Sequence, residues 1–152
     1  MSGQAPRHIY PPVWLLLHAA AAFALDRWLP LATLIRLPWT HLALVPGLLG
    51  VGIGLWCVIL FRRDDTPIVP FTESTALISR GPYRFTRNPI YLGLTLLLVS
   101  EVVLLGTLSP WLVVPSFWLI LHRSFVLKEE ALLRARFGAG YEAFCERVPR
   151  WI

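Results

Sequence analysis

Four apolar runs, each close to the length needed to cross a bilayer, constrain this chain more than any other feature. A spanning helix needs about 20 mostly apolar residues. Hydrophobic residues make up 56% of the chain and charged residues 15%, against about 45–50% and about 25% in soluble domains. The sequence therefore predicts an all-α fold, a polytopic membrane helical bundle with four transmembrane helices. The predicted spans are 12–29, 41–61, 89–105 and 110–127 within a single membrane-embedded domain, 1–152.

The basic residues are distributed unevenly between the segments that join these spans. If both chain ends lie on the same side, only Arg27 and Arg36 of the 14 lysines and arginines lie on the other. Basic residues are retained in the cytoplasm. We therefore expect a multi-pass protein of a prokaryotic inner membrane with both termini cytoplasmic. The net charge of +5 then reflects topology and contact with anionic membrane lipids, and it requires no nucleic-acid partner.

Two polar segments, loop 62–88 and tail 128–152, lie on the predicted cytoplasmic side. Both are longer than ordinary connectors, and functional sites are often built on loops held by a rigid scaffold. The tail has apolar residues at helical spacing on both sides of Gly138 and Gly140. This pattern predicts two short C-terminal amphipathic helices, which could lie on the membrane surface and roof a cavity.

The spans also carry signals for their own packing. Only residues 106–108 separate the third and fourth runs, which predicts an antiparallel helical hairpin. Gly47, Gly50 and Gly54 recur at three- and four-residue spacing in the second run, which allows a close helix contact on one face. That face permits either a monomer or a homodimer.

Residues that could carry chemistry gather where the third run begins and the fourth ends. The sequence R-N-P-I-Y at 87–91 places Asn88 at the N-cap and Pro89 at the first helical position. The free N–H groups of such a helix start can hold an anionic group, although a plain cap with a snorkelling arginine fits the same pattern. Glu129 and Glu130 follow the fourth run. One of them is a candidate for binding a positive ligand group, and a solvated face is the alternative.

Three further features are open to more than one interpretation. Glu101 lies inside an apolar run, where acids are often functional, but it is near enough to the helix end to reach the surface. Arg123 lies within a turn of the end of the fourth run, so it either snorkels or lines the same mouth as Glu129. Cys57 and Cys145 are far apart, so we expect no disulfide. No group of ligands has metal-site spacing.

Two longer blocks resemble the isoprenylcysteine carboxyl methyltransferase family, whose general plan the related phospholipid methyltransferases share. They are TALISRGPYRFTRNPIYLG at 75–93 and EEALLRARFGAGYEAFCERVP at 129–149. The resemblance covers about the C-terminal half of the chain. It implies an integral membrane methyltransferase that uses S-adenosyl-L-methionine and releases S-adenosyl-L-homocysteine. It also implies a cofactor site on the cytosolic side that the C-terminal segment closes.

Carried over by motif, the resemblance implies a set of cofactor-binding residues. They are Thr75, Ala76, Leu77, Ile78, Tyr83, Arg87, Asn88, Pro89, Ile90, Tyr91 and Glu129. Glu130 is added on chemical grounds, because a carboxylate suits the cofactor's ammonium or ribose hydroxyl groups. Tyr91, Arg123 and Glu129 are the candidate catalytic residues.

The chain departs from the family at one informative position. The eukaryotic isoprenylcysteine enzymes place an arginine that handles the substrate carboxylate four residues before the glutamate. This chain has Phe125 there, and Arg123 is the nearest arginine. The departure argues against a prenylcysteine carboxylate as the substrate.

The resulting hypothesis is methyl transfer from S-adenosylmethionine to a lipophilic acceptor that arrives through the bilayer. The acceptor group could be a carboxylate, an amine or a thiol. Two alternatives stay open at this stage: a non-enzymatic membrane subunit that has the fold without catalysis, and a small four-helix transporter that uses Glu101.

Overall fold

The computed structural model describes residues 10–71 and 76–152, and within them it is built from helices. Six α-helices follow in order: α1 Pro11–Trp28, α2 Leu44–Arg63, α3 Pro89–Leu105, α4 Val113–Leu121, α5 Leu127–Phe137 and α6 Ala139–Arg147. Short 3₁₀ turns lie at Trp39–Ala43, Gly81–Arg84 and Ser109–Leu112. The described residues contain no β-strand, only an isolated bridge between Thr33 and Thr107. The predicted all-α class is confirmed.

Helices lie at all four predicted spans, and α3 has the predicted bounds, 89–105. Within the described residues, two helical stretches are long and apolar enough to cross a membrane, Trp39–Arg63 and Ser109–Phe137. α3 is a shorter apolar helix of 17 residues. Four membrane crossings therefore remain a prediction, while the four apolar helices are present.

The fourth apolar helix does not stop at its apolar boundary. A π-helical turn, His122–Val126, joins α4 to α5, so one continuous rod extends from Ser109 to Phe137. The apolar part of this rod ends at Leu127, and the charged sequence that starts at Lys128 continues as α5. π-Turns insert an extra residue into a helix and are often found at functional sites.

The glycines of α2 make a close contact with α3 of the same chain. A Cβ atom on Gly50 would lie 2.7 Å from the carbonyl oxygen of Gly93, and one on Gly47 would lie 2.7 Å from Oγ of Ser100. The Ser100 hydroxyl donates a 2.7 Å hydrogen bond to the carbonyl of Ala43. The predicted close helix contact is thus confirmed at Gly47 and Gly50. It is intramolecular, whereas a Cβ on Gly54 would meet nothing.

At one end of the bundle, the turn between α3 and α4 is held by the segment that follows α1. Gly106 caps α3 with φ of +79°, and its carbonyl accepts hydrogen bonds from the N–H groups of Leu34 and Ile35. The Thr107 hydroxyl donates to the carboxylate of Asp26. The predicted hairpin between the third and fourth helices is present, and its turn is only three residues long.

At the opposite end, α5 and α6 fold back over the loop that precedes α3. Tyr141, Phe144 and Val148 form a buried cluster with Leu77 and Tyr83 of that loop. The helices break at Gly138, whose φ is +50°, so the two predicted tail helices are confirmed. We call this region, formed by 64–71, 76–88 and 128–152, the loop–tail end.

Candidate active site

The loop–tail end encloses a cavity of about 390 Å³. Its walls come from the start of α1, the end of α2, the loop before α3, the first turns of α3, and both tail helices. Most of the lining is apolar, including Ile78, Ile90, Leu94 and Leu133. Such a cavity, with a few convergent polar groups, is the usual form of a small-molecule site.

Ten of the predicted site residues line this one cavity. They are Ala76, Leu77, Ile78, Tyr83, Arg87, Asn88, Ile90, Tyr91, Glu129 and Glu130. Residues 76–91 and 129–130 are far apart in sequence, and the fold-back of the tail brings them together. The structure brings these residues together around one cavity. Their binding of a cofactor stays a prediction.

Glu129 and Tyr91 form the polar centre of the cavity. The Tyr91 hydroxyl donates a 2.8 Å hydrogen bond to Oε1 of Glu129. Glu129 lies beyond the apolar part of its helix, and burial raises the pKa of its carboxyl from 4.5 to about 7, although the bond from Tyr91 opposes this shift. Burial also raises the pKa of the nearby Tyr83 well above 10.0. The cavity therefore presents one carboxyl whose pKa is near neutral pH, beside the Tyr83 phenol, which stays protonated.

Glu130, directly after Glu129, faces a different set of partners. Its carboxylate is 4% exposed and accepts two hydrogen bonds from Arg150, at 2.9 and 2.8 Å. Nη1 of Arg87 lies 3.2 Å from the same carboxylate. Hydrogen bonding to Glu130 raises the pKa of Arg150. Glu130 thus ties the start of α3 to the C-terminal segment, and its charge is already balanced by two guanidinium groups.

Asn88 occupies the predicted N-cap position of α3, but its side chain does not cap the helix. No side chain caps the start of α3, and the Asn88 amide instead donates a 3.0 Å bond to the carbonyl of Arg150. The Thr86 hydroxyl donates to that carbonyl as well, at 3.0 Å, and the N–H of Arg87 donates to the carbonyl of Pro149. The correction has a physical reason: the returning chain offers buried Asn88 a carbonyl acceptor that sequence spacing does not reveal.

Two predicted residues, Arg123 and Pro89, do not line the cavity, and a third lies outside the described residues. Arg123 is exposed on the π-turn and does not line the cavity, so the expectation that it shares a mouth with Glu129 is wrong. The π-turn His122–Val126 adds a residue to the helix between them, so the six-residue spacing does not bring the two side chains to one mouth. Pro89 is fully buried at the first position of α3. Thr75 lies outside the described residues.

Phe125 is buried on the π-turn. It stands where the eukaryotic isoprenylcysteine enzymes have the arginine that handles the substrate carboxylate. Its ring stacks on Phe71 with centroids 5.7 Å apart and tilts against Tyr91 at 6.1 Å. Phe71 lines the cavity, so Phe125 supports an apolar wall. Among the described lining residues, Arg87 is the one basic side chain, and it is paired with Glu130.

Sequence analysis missed much of the apolar lining. The missed residues include Tyr10, Pro11 and Pro12 at the start of α1, and the segment 67–71. The apolar run P-I-V-P-F inside an otherwise polar loop was the available signal for the latter. Tyr141 and Phe144 also line the cavity, and their spacing on α6 marks its inward face.

Comparisons with known proteins agree on one family. A family model described as phospholipid methyltransferase matches residues 39–140. Two rice proteins, from Oryza sativa subsp. indica and subsp. japonica, are each described as a probable protein-S-isoprenylcysteine O-methyltransferase. Each is 31% identical over 115 residues, which cover 72% of this chain and 58% of the rice protein. An uncharacterized protein of Haemophilus influenzae is 33% identical over 63 residues, 41% of this chain and 100% of its own length. No solved structure matches.

The helical fold with its apolar helices and these matches together indicate a membrane-associated family of methyltransferases. The chain belongs to the phospholipid methyltransferase family, and it is similar to the two rice proteins described as probable protein-S-isoprenylcysteine O-methyltransferases. It spans a little over half the length of the rice relatives.

Proposed function

We propose that this protein transfers a methyl group from S-adenosylmethionine to a lipophilic acceptor delivered by the membrane. The observation that carries the proposal is the convergence, around one 390 Å³ cavity, of the two sequence blocks that resemble the family. S-adenosylmethionine supplies an activated methyl group when bound, and S-adenosylhomocysteine is what remains after transfer.

The cavity lining suits this cofactor in each of its parts. Glu129 can accept hydrogen bonds from an ammonium or a ribose hydroxyl. The uncapped first turn of α3 offers backbone N–H groups and a positive dipole end to a carboxylate. Leu77, Ile78 and Leu133 supply apolar surface for an adenine ring, and the rings of Tyr83 and Tyr91 can face a sulfonium cation.

The polar groups of the cavity also bear on the acceptor. A carboxylate acceptor needs a free cation, and the one basic lining residue, Arg87, is held by Glu130. Phe125 fills the position of the eukaryotic arginine with an apolar ring. An amine or a thiol therefore fits this cavity better than a carboxylate. Glu129 is placed to take up a proton from such a group, because its pKa is about 7.

Most of the catalytic effect is expected from alignment and exclusion of water. Methyl transfer is a direct displacement, so holding donor and acceptor in line is the main requirement. The tail helices cover the cavity through Tyr141 and Phe144, and the Arg87–Glu130–Arg150 cluster fastens that cover. We place the cavity on the cytosolic side, because loop 62–88 and tail 128–152 carry most of the basic residues.

The test is titration of the detergent-purified protein with S-adenosylhomocysteine by calorimetry. We expect saturable binding that is weakened about tenfold or more in Glu129→Gln, since a charge-assisted hydrogen bond contributes about 1.5–3 kcal/mol. Glu101→Gln is the matched control, because Glu101 is partly buried but does not line the cavity. Absence of binding in the folded wild type would overturn the cofactor assignment and favour the non-enzymatic subunit.

A further inference from the structure

A second, smaller cavity of about 280 Å³ lies at the loop–tail end, between the loop before α3 and the end of α6. It is lined by Ser79, Arg84, Phe144, Arg147 and Val148. Phe144 also lines the large cavity, so the two cavities share this residue. Neither arginine lines the large cavity.

The two arginines of this small cavity have no acidic partner among the residues that the structure describes. Four other arginines at this end are paired, as Arg80–Asp64, Arg87–Glu130, Arg150–Glu130 and Arg134–Glu142. Within the described chain, neither Arg84 nor Arg147 forms an ion pair. Two solvent-exposed positive charges thus line one cavity, and no described carboxylate is paired with either.

The donors of the cavity are also partly fixed in place. Arg84 ends the 3₁₀ turn Gly81–Arg84. Arg147 ends α6, and its Nε donates a 3.0 Å bond to the carbonyl of Ala143, which leaves its terminal nitrogens available. Ser79 adds a hydroxyl donor. Two guanidinium groups and a hydroxyl are a donor set that matches the oxygens of a phosphate.

We propose that the Arg84–Arg147 cavity binds a phosphate group, separately from the methyl-transfer site. That chemistry could come from a phospholipid headgroup or from soluble phosphate. The surroundings favour the lipid: Phe85, next to Arg84, is 71% exposed, as is typical of aromatic side chains at a membrane interface. The floor formed by Phe144 and Val148 is apolar and buried. Arginines near anionic headgroups contribute measurably to lipid binding.

The experiment uses native mass spectrometry of the full chain in an uncharged detergent, with dioctanoyl phosphatidylglycerol and inorganic phosphate as probes. The test variant is Arg84→Gln with Arg147→Gln. The matched control is Arg62→Gln with Arg63→Gln, which removes two exposed charges at the end of α2. Titration with S-adenosylhomocysteine in both variants shows whether the neighbouring large cavity is intact.

We expect one saturable lipid adduct in the wild type and in the control. In the test variant we expect an affinity about 25-fold lower, since each of the two arginines near an anionic headgroup contributes about fivefold. Failure of inorganic phosphate to compete supports the lipid as the source. If inorganic phosphate competes with an affinity equal to that of the lipid, the cavity is a phosphate site whose ligand is soluble phosphate. Equal losses in both variants, or no saturable binding of either probe, would overturn the proposal, because the arginines would then be merely solvated.

Discussion

Replacing Glu130 by Gln tests how strongly the tail is fastened over the large cavity. Glu130 is 4% exposed and balances Arg87, whose side chain is only 12% exposed. Removing one partner of a buried ion pair costs about 3–5 kcal/mol, because the remaining charge is left in a medium that solvates it poorly. Arg150 contributes less to this cost, since its side chain is 38% exposed and can turn toward water.

The chain provides a matched control for this substitution. Glu142 pairs with Arg134 at the surface, where the two side chains are 49% and 50% exposed, and surface ion pairs contribute about 0–1 kcal/mol. Glu142→Gln makes the same chemical change in a solvated setting. The difference between the two variants therefore isolates the effect of burial.

The assay is thermal unfolding in detergent, followed by tryptophan fluorescence. We expect Glu130→Gln to lower the Tm by about 6–20 °C, taking about 2–4 °C for each kcal/mol in a chain of this size, and Glu142→Gln to lower it by no more than about 4 °C. We also expect weaker binding of S-adenosylhomocysteine in Glu130→Gln only. Equal small shifts in the two variants would refute the view that a buried ion pair fastens the tail.

Three further predictions follow from particular contacts. Gly50→Ala should destabilise the fold, because its Cβ would lie 2.7 Å from a backbone carbonyl of α3, whereas Gly52→Ala, which meets nothing, should be neutral or mildly stabilising in the same unfolding assay. Thr86→Val should lower the free energy of unfolding by about 1–3 kcal/mol, because it removes a buried hydroxyl bonded to the carbonyl of Arg150. The raised pKa of Glu129 should make the free energy of unfolding fall as pH rises from 4.5 to about 7, and make affinity for S-adenosylhomocysteine rise across pH 7. Glu129→Gln should abolish both pH dependences in parallel thermal and calorimetric titrations.

The parts of the fold that local chemistry decides could be predicted from the sequence. α3 begins at Pro89 and ends before Gly106 as expected, because a proline suits the first helical position and a glycine suits the left-handed cap. The tail breaks at Gly138 for the same kind of reason. These positions depend on the backbone preferences of one or two residues.

The parts that depend on tertiary contacts could not be predicted. The pairing of Glu130 with Arg150, and the bond from Asn88 to the Arg150 carbonyl, exist only because the tail folds back over the loop. The π-turn at His122–Val126 carries the apolar helix onward into the charged tail. No sequence pattern marked this insertion, so the six-residue spacing that suggested a shared mouth for Arg123 and Glu129 was misleading.

Transfer of a labelled methyl group is the most direct test of methyltransferase activity in this protein. The purified protein is incubated with methyl-labelled S-adenosylmethionine and a membrane lipid extract, and the label that moves into the organic phase is measured. The account predicts transfer by the wild type and by Glu101→Gln, and loss of transfer in Glu129→Gln. Transfer that persists in Glu129→Gln would contradict the assignment of Glu129 to the active site. If the wild type binds S-adenosylhomocysteine but transfers no label, the claim that the extract contains a lipophilic acceptor is contradicted.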